Sequence, residues 1–154
     1  MRKFVGFALI FLMLAMTFAS CGRYENGPAL SFRSVKARLA GEWHLSDLQV
    51  NDSHDEDLFG KEANTVLTIN DDGSFSYEVK SIRALASTRG AWSLNDEKDM
   101  LILTILDTVN GDYERDYSIT RLSNTEMWLV DESVEYAGMD DMIERRFEKK
   151  IDKD

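Results

Sequence analysis

Few residues in this chain are placed to do chemistry. Cysteine occurs once, at Cys21, and histidine twice, at His44 and His54. An internal disulfide is impossible without a second cysteine, and two histidines with no cysteine partner make a poor zinc site. Both histidines lie near one end of the chain, and the sequence offers no Ser-His-Asp ordering worth proposing from them. The motifs CxxC, HExxH, GxGxxG and GxxxxGKS/T do not occur, so the sequence predicts a protein that is not an enzyme and needs no cofactor.

The densest group of possible metal ligands is the stretch Asp52–Asp57, in which four carboxylates accompany His54. Oxygen ligands at this density can hold a hard cation such as Ca²⁺. The order is not that of an EF-hand, because Asp57 stands where that loop needs a glycine for its sharp turn. A solvated acidic loop accounts for the same residues. We therefore predict no bound metal.

The segment that ends at Cys21 is typical of an exported protein. A basic start leads into the apolar stretch Phe4–Phe18, which is shorter than the ~20 residues that span a bilayer as a helix. Ala19 and Ser20 then provide the small residues that a signal peptidase accepts. The segment resembles a bacterial lipoprotein signal, in which the cysteine receives a diacylglycerol, with Phe18 in place of the usual leucine. The alternative is an ordinary secretory signal cut near Ala19, which leaves Cys21 as an unpaired thiol.

This resemblance divides the chain into a lipoprotein signal peptide (residues 1–20), a lipidated tether (21–28) and one folded domain (29–154). Three acyl chains such as palmitate would hold the protein firmly, because each buried methylene contributes ~0.8 kcal/mol. Gly22 follows the cysteine in place of aspartate, which by resemblance to envelope sorting rules argues against retention at the inner membrane. The tether also lacks the acidic cluster that resembles a surface-export tag. We therefore expect a lipoprotein of the cell envelope, anchored to the outer membrane on its periplasmic face.

The charge balance limits the possible partners. The chain has 18 basic and 28 acidic residues, a net charge of −10, and loss of Arg2 and Lys3 with the signal makes it −12. Such an acidic surface disfavours nucleic acid, which needs basic patches, and it repels anionic lipid headgroups. We therefore expect a monomer that contacts the membrane through its anchor alone and has no nucleic-acid partner.

Alternating polar and apolar residues from Gly41 onward predict a domain built from strands, preceded by an amphipathic helix over Ala29–Ala40. Short polar turns such as Asn70–Gly73 make neighbouring strands antiparallel, and a change of phase near Ser46-Asp47 indicates a bulge in the first strand. This succession favours an all-β fold, an eight-stranded up-and-down antiparallel barrel that is closed to remove its edges. The eight predicted strands are Glu42–Val50, Asn64–Asn70, Ser74–Ser81, Ser87–Leu94, Met100–Leu106, Tyr113–Arg121, Glu126–Asp131 and Ile143–Ile151.

Four short motifs follow one another along residues 39–150. Leu39–Trp43 reads L-x-G-x-W, Leu67–Phe75 reads as a hairpin, Gly90–Leu94 repeats G-x-W-x-L, and Arg146-Phe147 lies in the last strand. The ordered set resembles the lipocalin-like lipoproteins of Bacteroidetes-type bacteria, within the calycin superfamily. The resemblance implies the same eight-stranded barrel.

The resemblance also implies structural roles for individual residues. Gly41 and Trp43 would plug the closed end of the barrel, and either Arg145 or Arg146 would pack on the tryptophan. The long polar loop Asn51–Ala63 would lie at the open mouth as a lid, because structureless loops of that length in a compact domain are usually functional.

The barrel interior is the predicted binding site. Eight strands leave room either for a filled core or for one small ligand, and the sequence does not decide between them. We expect a lipid-anchored envelope protein that holds a small apolar or amphipathic molecule. The alternative is a solid barrel that acts as a protein–protein interaction module through its acidic face or the loop Met139–Met142. The residues predicted to line the interior are Leu67, Ile69, Phe75, Tyr77, Trp92, Leu101, Leu103, Tyr117, Met127 and Leu129.

Overall fold

The computed structural model describes residues 33–80, 85–131, 135–136 and 139–150, and antiparallel strands form most of this described part of the chain. The predicted export segment, Cys21 and the tether lie outside the described residues. Within the described ranges, neither helix has the length and apolar character needed to cross a membrane. The elements are α1 (Val35–Leu39), β1 (Gly41–Val50), β2 (Ser53–His54), α2 (Glu56–Glu62), β3 (Thr65–Ile69), β4 (Ser74–Lys80), β5 (Leu85–Leu94), β6 (Met100–Ile105), β7 (Tyr113–Leu122), β8 (Glu126–Asp131), β9 (Glu135–Tyr136), β10 (Met139–Asp140) and β11 (Ile143–Lys149).

Eight of these strands, counted within the described residues, close into a barrel. Strands β1, β3, β4, β5, β6, β7, β8 and β11 pair with their neighbours in chain order, and β11 returns to pair with β1. In that seam Trp43 lies opposite Lys149 and Leu45 opposite Phe147. Closure pairs the backbone groups that an open edge would expose. The predicted all-β, eight-stranded antiparallel barrel is confirmed.

The first strand bends at a β-bulge. Leu45 and Asp47 face consecutive residues of β11, so Ser46 is an extra residue on β1. Its Oγ donates a hydrogen bond of 3.1 Å to the backbone oxygen of Arg146. One inserted residue reverses the faces that the following side chains occupy. The predicted bulge is thus confirmed, and it buries Leu48 as well as Leu45.

The segment Asn51–Ala63 has regular structure, which corrects its prediction as a loop without any. Asn51 and Asp52 have φ angles of 49° and 64° and form a two-residue turn between β1 and β2, a conformation that Asn and Asp adopt more readily than most residues. The Asp55 carboxylate then caps α2, accepting a hydrogen bond of 2.8 Å from the backbone N–H of Leu58. The segment lies at the open end of the barrel, as predicted, but as a hairpin and a helix.

The predicted loop before the last strand is also partly regular. Met139 pairs with Tyr136, and Asp140 pairs with Glu135, so β9 and β10 form a separate two-stranded antiparallel sheet. A two-residue strand is too short to show the alternation that predicts longer strands.

Trp43 packs at the end of the barrel that α1 covers. Its side chain is fully buried, and its Nε1 donates a hydrogen bond of 2.7 Å to the backbone oxygen of Leu39 in α1. The Nζ atom of Lys149 lies 4.7 Å from the centroid of the Trp43 ring and donates to the backbone oxygens of Arg38 and Ala40. Lys149 therefore links the last residue of β11 to the Trp43 ring and to the end of α1.

A lysine thus occupies the place predicted for Arg145 or Arg146, and that prediction is corrected. The Arg146 guanidinium lies outside the barrel, 4.0 Å from the centroid of the Trp128 ring. The Arg145 side chain points inward and pairs with Glu62 at the open end. Successive side chains of a strand point to opposite faces, so the two arginines separate, and Lys149 reaches the closed end because it is the last residue of β11.

Glycine at position 41 permits this close packing. Its φ angle is 140°, and a Cβ atom there would lie 2.6 Å from Cε of Lys149. Only glycine adopts this conformation without strain and also leaves room for the lysine. The L-x-G-x-W motif therefore encodes the contact between α1, β1 and Lys149.

Candidate functional site

The open half of the barrel contains a cavity of about 390 Å³. Ligand sites in proteins have volumes of roughly 300–1,000 Å³, with mostly apolar walls and a few polar groups, and this cavity has both properties. The barrel is therefore filled in its closed half and hollow in its open half. The described lining residues are Glu62, Phe75, Tyr77, Val79, Ala86, Thr88, Leu103, Ile105, Tyr113, Arg115, Tyr117 and Arg145.

The ten residues predicted to line the interior divide between these two halves. Four of them line the cavity: Phe75, Tyr77, Leu103 and Tyr117. The other six pack in the main hydrophobic core and are absent from the described lining: Leu67, Ile69, Trp92, Leu101, Met127 and Leu129. Inward alternation identifies interior residues but carries no information on which level of the barrel is hollow. That any of the ten binds a ligand stays a prediction.

Strand register brings the cavity residues to one level. Tyr77 of β4 lies opposite Thr88 of β5, and Leu103 of β6 lies opposite Arg115 of β7. Side chains directly opposite each other on one face of a sheet are close neighbours. Inward residues from four consecutive strands therefore form one wall, and Arg145 of β11 faces it across the opening.

Arg145 is the most constrained polar group of the cavity. Its Nε and Nη2 atoms donate hydrogen bonds of 2.9 Å and 3.1 Å to the two carboxylate oxygens of Glu62 at the end of α2. Both side chains are largely buried, with 13% of Arg145 and 19% of Glu62 exposed. Burial alone lowers the pKa of Arg145, but the hydrogen bonds to Glu62 and the nearby Tyr77 outweigh it and raise that pKa. The guanidinium is therefore permanently charged.

The Nη1 atom of Arg145 is buried and has no hydrogen-bond partner among the described residues. A buried donor without an acceptor is costly in a folded protein. The pairing with Glu62 therefore leaves the hydrogen-bonding capacity of the guanidinium incompletely used.

Tyr77 and Tyr117 give the cavity polar groups beside this ion pair, and Tyr113 is also part of the described lining. Burial raises the pKa of Tyr77 to about 12, and the Glu62 carboxylate acts in the same direction, although Arg145 opposes it. The Tyr77 hydroxyl is thus protonated at physiological pH and able to donate a hydrogen bond. The Tyr117 side chain is also buried, on the same face of β7 as Arg115.

Arg115 is the second cation of the cavity. Its side chain is half exposed, and its Nη1 atom lies 4.0 Å from an oxygen of the buried Asp131 carboxylate. That distance gives electrostatic attraction but is too long for a hydrogen bond. Burial lowers the pKa of Arg115, but a hydrogen bond with Tyr117 and the charge of Asp131 outweigh it and raise that pKa. Because a guanidinium has five N–H donors, Arg115 keeps some that can reach another acceptor.

The polar end of Trp92 is satisfied within the closed half. Its Nε1 donates a hydrogen bond of 2.8 Å to the backbone oxygen of Asn70. Trp92 therefore needs neither a ligand nor a water to complete its hydrogen bonding.

The acidic stretch Asp52–Asp57 serves the local fold. Asp55 caps α2, and His54 contacts Asp47 through Nδ1 and Oδ1 at 2.6 Å. No cluster of three or more His, Cys, Asp or Glu side chains within the described residues has an arrangement that could hold a metal ion.

Several cavity residues escaped sequence reasoning for different reasons. Val79 and Arg115 have the same inward alternation as Tyr77 and Tyr117, so that signal was present in the sequence. Glu62 gave no such signal, because it lies on a helix inside a segment predicted as a loop.

Comparisons with known proteins bear on the fold. A family model described as a lipocalin-like domain matches residues 39–129. A lipocalin-like protein from Bacteroides uniformis is 21% identical, with 73% of this chain and 99% of that chain covered and a TM-score of 0.51. The bovine odorant-binding protein in complex with undecanal is 14% identical, with 81% and 79% covered and a TM-score of 0.50. No curated protein matches the chain.

Proposed function

This chain belongs to the family of lipocalin-like domains, and on that premise we propose that it is a binding protein, with no catalytic activity, that holds a small amphipathic molecule in its barrel. Barrels of this family typically bind small hydrophobic ligands. The observation that carries the proposal is the cavity of about 390 Å³ between β4, β5, β6, β7 and β11. A solid interaction module would have no need of such a space.

The chemistry of the lining supports an amphipathic ligand. Phe75, Leu103 and Ile105 provide an apolar wall, whereas Arg115 and Arg145 provide donors at the open end. A water molecule occupies about 30 Å³ in the liquid, so the cavity has room for about a dozen groups of that size. Undecanal, bound by the bovine odorant-binding protein, is a molecule of comparable size and a suitable first probe.

Filling the cavity tests the proposal. Val79 lines the cavity, whereas Val66 on the neighbouring strand lies opposite Glu78 and is absent from the described lining. Val79→Trp places a ring in the empty space, and Val66→Trp makes the same change on the other face of the sheet. We expect Val79→Trp to abolish binding of undecanal by the purified protein and Val66→Trp to retain it.

Two results would overturn the proposal. One is undecanal binding that is equal in both variants. The other is an absence of any bound small molecule when the protein, purified from its own organism, is examined by native mass spectrometry, together with no affinity for undecanal.

We also propose that the barrel is anchored to the periplasmic face of the outer membrane by lipid on Cys21. The support is the sequence pattern of residues 1–21. Cys21→Ser should release the protein from the membrane fraction and abolish incorporation of labelled palmitate, whereas Ser31→Ala should change neither. Membrane attachment that survives Cys21→Ser would refute the anchor and leave the binding proposal intact.

A further inference from the structure

The ion pair between Glu62 and Arg145 holds a carboxylate inside the mouth of the cavity. Glu62 is the last residue of α2, and both of its oxygens accept hydrogen bonds from Arg145. The C-terminus of a helix carries partial negative charge, which makes it an unfavourable place for a carboxylate. The hydrogen bonds and the positive charge of Arg145 therefore hold the Glu62 carboxylate in this position.

The cavity would remain an anion site without Glu62. Its described lining has two guanidinium groups, Arg115 and Arg145, and the single carboxylate of Glu62. The buried Asp131 carboxylate, 4.0 Å from Arg115, balances that guanidinium, so loss of Glu62 would leave Arg145 as the cation whose charge is no longer balanced at the mouth. The Nη1 atom of Arg145 has no acceptor among the described residues, and the contact from Arg115 to Asp131 is too long for a hydrogen bond.

We propose that Arg145 receives the carboxylate of an amphipathic acid, and that Glu62 occupies this site from α2 until the ligand displaces it. The inference rests on the proposed function and names the class of ligand. The acid's apolar chain lies against Phe75, Leu103 and Ile105. The displaced Glu62 moves toward solvent at the mouth, and α2 loses its hydrogen bonds to β11.

The other contacts of α2 allow this exchange. Leu58 packs on Leu48 and Ile143, and the backbone N–H of Asp55 donates to the backbone oxygen of Leu48 at 3.1 Å. These contacts lie toward the start of the helix and do not involve Arg145. The helix can therefore stay attached by its first turns while Glu62 leaves.

Probes that share one chain length separate the head group from the tail. We would measure the affinities of decanoate, decanol and decylamine for the wild-type protein and for Glu62→Gln, which keeps the size of the side chain and removes its charge. We expect decanoate to bind best. Glu62→Gln should raise decanoate affinity by about fivefold or more, in the range of typical coupling between linked sites, and leave decanol unchanged.

A matched pair on the outer surface provides the control. Glu126 accepts hydrogen bonds from Nε and Nη2 of Arg121 at 3.1 Å and 2.7 Å, and neither residue is among the described lining of the cavity. Glu126→Gln should leave all three affinities unchanged. The double variant Glu62→Gln/Arg145→Gln leaves neither partner charged and should lose the preference for decanoate over decanol.

Hydrogen exchange gives a second readout. Decanoate should speed exchange of the amides at the end of α2, whereas decanol should not. Equal binding of decanoate and decanol, with no effect of Glu62→Gln, would refute the anion site and leave the proposed function standing. Failure of all three probes and of undecanal to bind would refute both.

Discussion

Gly90→Ala tests the packing that shapes the cavity. Gly90 lies opposite Phe75 on β4 and Ile105 on β6. A Cβ atom at Gly90 would lie 1.9 Å from the backbone oxygen of Thr104 and 2.9 Å from Cε1 of Phe75. A backbone carbonyl in a paired strand cannot move away as a flexible side chain does, so β5 and β6 must separate locally.

The expected cost follows from these distances. Overpacking a well-packed core costs typically 1–3 kcal/mol, and the contact with backbone places Gly90→Ala near the upper end, at about 2–3 kcal/mol of unfolding free energy. Part of the strain can be relieved if the Phe75 ring moves into the cavity. Gly90→Ala should therefore also weaken binding of undecanal.

Urea unfolding followed by tryptophan fluorescence measures this loss, and Gly60→Ala is the control. Gly60 lies within α2, and a Cβ atom there meets nothing within 4 Å. Alanine is favoured over glycine in a helix by about 1 kcal/mol, so Gly60→Ala should stabilise the protein slightly. Surface substitutions change the free energy of unfolding by about 0.5 kcal/mol or less. A Gly90→Ala protein whose free energy of unfolding lies within that margin of the wild-type value would refute the reasoning.

Three further predictions concern the closed end and the pH dependence of stability. Lys149→Met should lower the unfolding free energy by about 1–2 kcal/mol through loss of its contacts with the Trp43 ring and two backbone oxygens; unchanged urea stability would contradict this. The pKa of Tyr77 is raised, so the contribution of its protonated hydroxyl to the free energy of unfolding is complete below pH ~10 and is lost as pH rises toward about 12. Tyr77→Phe should remove this alkaline loss of stability. An unchanged profile of stability against alkaline pH would count against the prediction. Burial raises the pKa of Asp47, but hydrogen bonds from His54 and other neighbours outweigh it and lower that pKa. The ionised Asp47 therefore contributes to the free energy of unfolding above pH ~4, and this contribution is lost as pH falls. Asp47→Asn should flatten the acid limb of the curve of stability against pH, and an acid limb as steep as that of wild type would refute the assignment.

The strands were predictable because alternation is a local property. Phe75 and Tyr77 share one face of β4 whether or not the rest of the chain is known, and short turns such as Asn70–Gly73 fix antiparallel neighbours. The bulge at Ser46 was visible for the same reason, since the apolar phase shifts within a few residues. The segment before Ala63 was misread because its turn and helix cap depend on single polar residues.

The candidate site was only partly predictable. Tyr77 and Tyr117 were recognised as interior residues from alternation, and both line the cavity. Arg145 was singled out for the wrong contact, because the resemblance suggested an arginine on Trp43 where Lys149 lies. Glu62 was not considered, since its approach to Arg145 joins residues that are 83 positions apart in the chain.

The sequence by itself determined the order of the strands and the face that each side chain occupies. These follow from backbone geometry and from spacing within a few residues, whereas the roles expected of Gly41 and Trp43 came from the resemblance to a known family. Only the tertiary structure decided that the open half is hollow, that Lys149 holds the plug, and that Glu62 and Arg145 meet at the mouth. The level at which side chains fill a closed barrel, and the partners that they find there, depend on the register of every strand at once. No local pattern contains that information.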